Sequence, residues 1–329
     1  MKKIAVVIPK GELVLSSVVG PFKIFNAVNQ HLIESGKRKD PYYDVKLVGP
    51  CIENNLYDDI FTIRCHEKLG DSHSTDLVII PSIKGDMQKG LELNLDVIDW
   101  IKDQYKKGAE LASFCMGAFI LASTGLVDNR KCSTHWMAAD LFKTMFPDVN
   151  LVAEKIVTEE NGIYTSGGAY SFLNLVLHLV EKFTGRETAI WASKVFEIEI
   201  DRVTQSHFTI FNTQKIHGDE TILKAQEYIE SHYDNKLSVE SLADYFALSR
   251  RNFIRKFKKA TQNSPSEYIQ RVKMEAAKKH FEMSSGNVSE VMYTVGYNDM
   301  KSFRKVFKKI TGLTPNGYRT KYGKVAAVA

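Results

Sequence analysis

Ser249-Arg-Arg-Asn-Phe-Ile-Arg-Lys-Phe-Lys-Lys-Ala-Thr261 returns 50 residues later as Asp299-Met-Lys-Ser-Phe-Arg-Lys-Val-Phe-Lys-Lys-Ile-Thr311. Phe253 and Phe257 match Phe303 and Phe307, and the same offset carries Thr261 to Thr311, Pro265 to Pro315 and Tyr268 to Tyr318. Upstream of each copy lies a shorter apolar-periodic stretch. One holds Val239, Leu242, Ala243 and Phe246; the other holds Val288, Val291, Met292 and Val295, at an offset of 49. The one-residue slip falls in the turn between the two stretches. A duplicated two-helix unit explains the pattern.

Local signals agree with helices in these places. Ser238 and Asn287 suit N-caps, and Glu290, three after Asn287, completes a capping box. Ser249 and Asp299 can cap the longer helices, and Gly296 sits where the second unit must turn. Phe303, Val306, Phe307 and Ile310 form one apolar stripe, leaving Lys301, Arg304, Lys305 and Lys308 on the other face. In the first copy Phe253, Phe257 and Ala260 turn inward, leaving Arg250, Arg251, Arg255, Lys256 and Lys259 outside. Between the units, Ser264-Pro265-Ser266-Glu267 opens a helix expected to run to about Met283.

Charge follows the same division. Residues 250–329 carry 18 Lys/Arg against 5 Asp/Glu, whereas the whole chain of 329 residues is only +5. A basic region joined to a mildly acidic one suggests a polyanion as partner.

From about Ile222 to Tyr322 the chain resembles the AraC/XylS DNA-binding domain. The resemblance rests on Leu242-Ala243, Ser249, Phe253, Arg255 and Phe257-Lys258, then on Gly296-Tyr297, Ser302-Phe303, Phe307-Lys308, Thr311-Gly312, Thr314-Pro315 and Tyr318-Arg319. It implies that the second helix of each unit enters the major groove of double-stranded DNA. By matching positions, Arg251, Ile254 and Arg255 read bases in the first unit, with Arg250 on the same face. Met300, Lys301, Arg304 and Lys305 do so in the second. Lys258, Lys259, Lys308 and Lys309, toward the helix ends, are expected on phosphates.

Residues 1–190 alternate short apolar runs with helical patterns. Ile4–Pro9, Asp44–Val48, Leu77–Pro81 and Glu110–Phe114 read as buried parallel strands, and Val18–Ile33, Leu95–Lys107 and Met116–Ser123 as helices. The expected fold is a three-layer α/β domain with a parallel sheet, followed by an all-α domain with two helix-turn-helix units. In Leu111-Ala-Ser-Phe-Cys115-Met-Gly117 a strand runs into a small-residue turn. Such an elbow exposes Cys115 at a helix N-terminus, where the dipole favours a thiolate. Ser133-Thr134-His135 offers a base twenty residues on, although a buried cysteine and a hydrogen-bonded histidine fit the spacing better than catalysis.

Cys115 through Asp128, followed by Thr134-His135-Trp136, resembles the ThiJ/PfpI superfamily of flavodoxin-like domains related to class I glutamine amidotransferases. Gly20-Pro21 with Phe25, and Thr165-Ser166-Gly167-Gly168, add to the match. Joined to an AraC-type module, the pairing resembles the GlxA-type regulators. The departures shape what this implies. Ser17 stands where the superfamily's enzymes carry an acid, Pro81 is followed by Ser82-Ile83-Lys84 rather than by glycines, and Asn174 replaces an aspartate. Cys115 and His135 then read as vestiges of an active site reused as a ligand pocket, lined by Ser17, Pro81, Ser82, Cys115, Met116, His135 and Gly167. The rival is a cysteine-dependent hydrolase, hydratase or glyoxalase-like enzyme with an appended DNA module; a third reading is a constitutive DNA binder with a purely dimerising first domain.

These expectations divide the chain into 1–190 for sensing and dimerisation, a connecting region 191–218, and 219–323 for DNA. Helix is expected early in the connector and a mobile linker around Thr213–Gly218. The partners expected are double-stranded DNA, an unidentified small effector, RNA polymerase and a second copy of the chain. Four cysteines without CxxC spacing suggest neither a disulfide framework nor a zinc site, and no cofactor is expected. No run reaches the ~18 apolar residues of a membrane span. The opening Met1-Lys-Lys-Ile-Ala-Val-Val-Ile-Pro9 reads as a first strand rather than a signal peptide, which places the protein in the cytoplasm.

Overall fold

Alternating side chains along the first strand separate two buried cores: Ile4 and Val6 enter one, Ala5 and Val7 the other. The computed structural model describes residues 1–323 except 72, 73, 212, 216 and 285. Its strands are β1 (Lys2–Val7), β2 (Tyr43–Gly49), β3 (Glu53–Leu56), β4 (Phe61–Arg64), β5 (Glu67–Lys68), β6 (Leu77–Ile80), β7 (Glu110–Phe114), β8 (Lys131–Cys132), β9 (Asn150–Leu151), β10 (Val157–Glu160) and β11 (Ile163–Ser166). The chain divides into two compact units, Met1–Gln205 and Ser206–Ala329.

In the first unit seven strands form a sheet in the order β10-β11-β7-β6-β1-β2-β5. Every pairing is parallel except the edge pair β10–β11, so the sheet is mostly rather than wholly parallel. Helices α1 (Ser16–Glu34), α6 (Phe172–Thr184) and α7 (Arg186–Val195) cover one face through Phe25, Val28, Leu175 and Ala189. Helices α2 (Met87–Glu92), α3 (Leu95–Lys106), α4 (Gly117–Ser123) and α5 (Ala139–Met145) cover the other through Leu91, Ile101, Phe119 and Phe142. The expected three-layer flavodoxin-like fold is present. Among the described residues no helix is long and apolar enough to cross a membrane.

The expected connector 191–218 is not a single linker. Its first part completes α7, which packs on α6. Asn174 Nδ2 then donates to the Glu199 carbonyl at 2.6 Å, and Thr204 Oγ1 to that of Glu154 at 2.9 Å, so the first unit extends to Gln205. The later part is tied to the second unit's first helix, α8 (Glu220–Ser231). Gln226 bonds to Gln214 O (2.9 Å) and to His217 (2.8 Å), and Lys215 pairs with Glu230 at 2.8 Å. Ile216, inside the expected mobile stretch, lies outside the described residues. Polar side-chain bonds hold this segment, and such bonds leave no apolar period to read.

The second unit continues with α9 (Val239–Tyr245), α10 (Arg250–Thr261), α11 (Pro265–Met283), α12 (Val288–Thr294), α13 (Met300–Thr311) and α14 (Pro315–Tyr322). Capping boxes close α9, α11 and α12, and Ser249 and Asp299 cap α10 and α13. The duplication repeats in three dimensions. Phe257 and Tyr268 meet edge-on at 5.2 Å and 76°; Phe307 and Tyr318 do so at 5.5 Å and 82°.

Where α9 turns into α10 and α12 into α13, the first copy places Ala247 at φ 51° and the second Gly296 at φ 70°. A Cβ on Gly296 would stand 2.2 Å from the Asp234 carbonyl oxygen, whereas Ala247 already carries its own. Gly296→Ala is expected to lower the unfolding free energy by about 2–4 kcal/mol in urea titrations. Ala247→Gly should shift it by about 1 kcal/mol or less. Equal losses for the two would mean that the backbone contact is relieved at little cost.

Candidate functional site

Two sets of residues carry chemistry, one in each unit. In the first, β7 ends at Phe114 and Cys115 takes φ 53°, a left-handed elbow that starts α4 two residues later. Gly117 makes the elbow possible, because a Cβ there would meet Pro81 O at 2.4 Å and Ile80 O at 2.7 Å.

Ser17 leads α1. Its Oγ donates to Val14 O (2.6 Å) and accepts from Ser82 N (3.0 Å). Ser82 Oγ in turn accepts from Met116 N at 3.4 Å and hydrogen-bonds the Cys115 thiol. Thr134 Oγ1 donates to Cys115 O at 2.9 Å, and His135 follows directly in sequence. The His135 ring lies against Gly168, where a Cβ would fall 2.3 Å from it. Pro81 faces the elbow through its carbonyl oxygen. Ser17, Ser82, Cys115 and Met116 thus share one hydrogen-bond chain at the elbow, Pro81 O lies beside Gly117, and His135 packs on Gly168.

Burial opposes the thiolate that the helix start favours. Burial pushes the Cys115 thiol above its usual range, and bonds to Ser82 and to the Ala169 and Met116 backbone only partly offset that. Desolvation of the charged form outweighs the N-terminus of a seven-residue helix. Burial also holds His135 below its ordinary value, and its Nδ1 accepts from Met137 N at 3.1 Å. The imidazole is therefore neutral at pH 7 with its proton on Nε2. The arrangement offers hydroxyls, backbone N–H groups and a neutral thiol, a set suited to hydrogen-bonding a small polar molecule. Iodoacetamide should accordingly alkylate exposed Cys51 first. Cys115 should react at pH 7.5 more slowly than a free thiol and gain speed only as the pH rises past the ordinary thiol range. Rapid modification of Cys115 at neutral pH, read by peptide mass, would restore the thiolate.

Gln205 escaped the sequence reading. Its side chain is buried, accepts from Gly168 N (2.8 Å), and donates to Thr134 O (2.9 Å) and Ala153 O (2.6 Å). Gly167 is small for its sake: a Cβ there would lie 2.7 Å from the Gln205 amide. No periodicity marks a lone glutamine whose partners are all backbone atoms.

In the second unit, α10 and α13 each present a basic outer face. Arg251, Arg255, Lys258 and Lys259 are exposed, as are Lys301, Arg304, Lys305, Lys308 and Lys309. Arg255 is steadied by Asn252 Oδ1 at 2.9 Å. Arg250 is exposed but paired with Glu240, and Lys256 pairs with Asp219 at 3.1 Å. Ile254 is half-buried, and Met300 packs partly on its own core, so neither projects fully. The basic face of α13 borders a hollow of about 410 Å³ shared with Thr314, Pro315 and Asn316.

Comparison with known proteins follows the same division. Residues 43–182 match the DJ-1/PfpI family and residues 242–321 a helix-turn-helix domain. The HTH-type transcriptional regulator GbdR of Pseudomonas aeruginosa is 26% identical over 68% of this chain and 60% of its own length. The HTH-type transcriptional regulator GlxA of Rhizobium meliloti is 24% identical over 66% of this chain and 67% of its own. A crystal structure of a ThiJ/PfpI family protein from Pseudomonas syringae superposes with a TM-score of 0.50 at 16% identity, covering 75% of this chain and 90% of that one.

Proposed function

The chain carries a DJ-1/PfpI domain followed by an AraC-type helix-turn-helix domain, the make-up of a GlxA-type regulator, and on that premise we propose that it is a sequence-specific DNA-binding transcription regulator. The observation that carries the reading is the duplicated pair α10 and α13, each capped alike, buried by the same aromatic pair and basic on its open face. Selection of duplexes from a random pool by the full chain, followed by footprinting, tests it. Recovery of no common sequence would overturn it.

The first unit, in this reading, binds a small polar metabolite at the Cys115 elbow and does not turn it over. Ser17 in the acid's place, the neutral thiol and His135 Nδ1 already engaged by Met137 support binding over catalysis. Cysteine-dependent hydrolysis or hydration abolished by Cys115→Ser would favour the enzyme instead. The protein works in the cytoplasm, where DNA and RNA polymerase are its partners. It acts as a homodimer, for which paired DNA sites select. Exposed Val19 on α1 and Ile190 and Val195 on the adjoining α7 support an apolar contact between copies. Sedimentation should give twice the chain mass, and Val195→Asp should return it to one. A wild-type monomer at micromolar concentration would remove the dimer.

A further inference from the structure

Lys273 stands in the middle of α11 at a position where the helix is otherwise apolar, four residues after Ile269 and four before Ala277. It is 6% exposed. An isolated buried ammonium is costly, so its partners have to explain its presence. They come from both helix-turn-helix units. Nζ donates to Asn235 O at 3.1 Å, in the loop between α8 and α9, and to Val295 O at 2.9 Å, in the turn between α12 and α13. Gly296 O lies at 3.5 Å, and the Tyr297 ring centre at 5.6 Å.

The same two segments touch directly, since Gly296 leaves no room for a Cβ beside Asp234 O. Apolar packing alone would leave the joint loose in rotation. The first half of α11 gives Tyr268, Ile269 and Val272 to one core, and the second half gives Met274, Ala277 and Phe281 to the other. Such contacts are non-directional. Hydrogen bonds from one ammonium to carbonyls on both sides are directional, and they close the joint opposite the helix.

We propose that Lys273 is a positioning residue that fixes the separation and rotation of α10 and α13, and with them the spacing of the two DNA segments the chain can read. The DNA half of this statement rests on the function proposed above; the geometric half does not. Buried ionic groups often contribute specificity of arrangement rather than stability, so Lys273→Met should still fold while losing the fixed geometry.

The test uses the full chain in two arms. In the first, nitroxide labels on Lys258→Cys and Lys308→Cys, in a Cys51→Ser background, report the distance between the two helices by electron double resonance without DNA. Wild type and Lys273→Arg should give one narrow distribution, and Lys273→Met one at least about twice as broad. If Lys273→Met loses its helical circular dichroism, Lys273→Gln replaces it with the same expectation. A distribution as narrow as wild type overturns the proposal.

In the second arm, a duplex selected by the wild-type chain is lengthened by two base pairs between the protected segments. The insertion should cost wild type about 100-fold in affinity and Lys273→Met about tenfold or less. Equal losses overturn the spacing role. Failure to select any duplex, with the first arm as expected, would count against DNA binding and leave the geometric assignment standing.

Discussion

Raising the salt from about 50 to about 200 mM should weaken the grip of this chain on double-stranded DNA by about 200-fold or more. Among the described residues, nine exposed basic side chains on α10 and α13 form no ion pair like those of Arg250 with Glu240 or Lys256 with Asp219. Those two pairings keep part of the positive charge at home, so about five phosphates, fewer than the basic residues present, set the expectation. At about −0.9 per phosphate the slope of log K against log salt comes to roughly −4. Anisotropy titrations of a labelled duplex at four salt concentrations give the slope directly. A value between zero and −1 would mean that the basic faces meet something other than DNA.

Arg255→Ala should cost about 1–3 kcal/mol on a selected duplex, roughly five- to 150-fold, and much less on random DNA. Arg255 is exposed one turn into α10, and its guanidinium is held by Asn252 Oδ1 at 2.9 Å. That bond removes some of the rotamer freedom a bidentate contact with guanine would otherwise have to freeze. Lys309→Ala should weaken both duplexes by a similar, smaller factor, because it lies in the last turn of α13, where a lone ammonium meets phosphates. The first unit should then carry most of the discrimination, since it exposes Arg251 and Arg255 on α10, where the second exposes Arg304 among lysines on α13. Parallel titrations of both variants on both duplexes separate the roles. Equal losses for Arg255→Ala would reduce it to a backbone contact.

The duplicated unit was legible in the sequence because its signals are local and repeated. Ser249, Ser264, Asn287 and Asp299 cap the helices they were expected to cap, and Phe253, Phe257, Phe303 and Phe307 are buried. Strands β1, β6 and β7 were legible because parallel strands buried on both faces read as apolar runs, and β2 because Val45, Leu47 and Val48 mark it despite Asp44 and Lys46. The antiparallel β10–β11 edge was not, since Val157-Thr-Glu-Glu160 shows no such run. The elbow itself was visible in Cys115-Met-Gly117, but its electrostatics were not. Whether a thiol at a helix start ionises depends on how deeply the fold buries it, and burial is a property of distant segments. Gln205 was missed for a related reason: backbone atoms hold it, and a backbone partner leaves no trace in residue type. Lys273 left a faint one, a charge at an apolar position of a helix.

Helix α11 belongs to both halves of the repeat at once, with residues up to Val272 in one core and residues from Met274 onward in the next. Pro265 and Tyr268 return as Pro315 and Tyr318 in α14, so α14 is the same element at the end of the array. The inherited module is therefore not a bare pair of helices but a pair plus the helix that seals it. In the first copy that sealing helix is longer, and its far end forms a wall of the second. Neither copy can be cut away without exposing a face that water would not tolerate. Through α11 the two copies are tied into one folded unit.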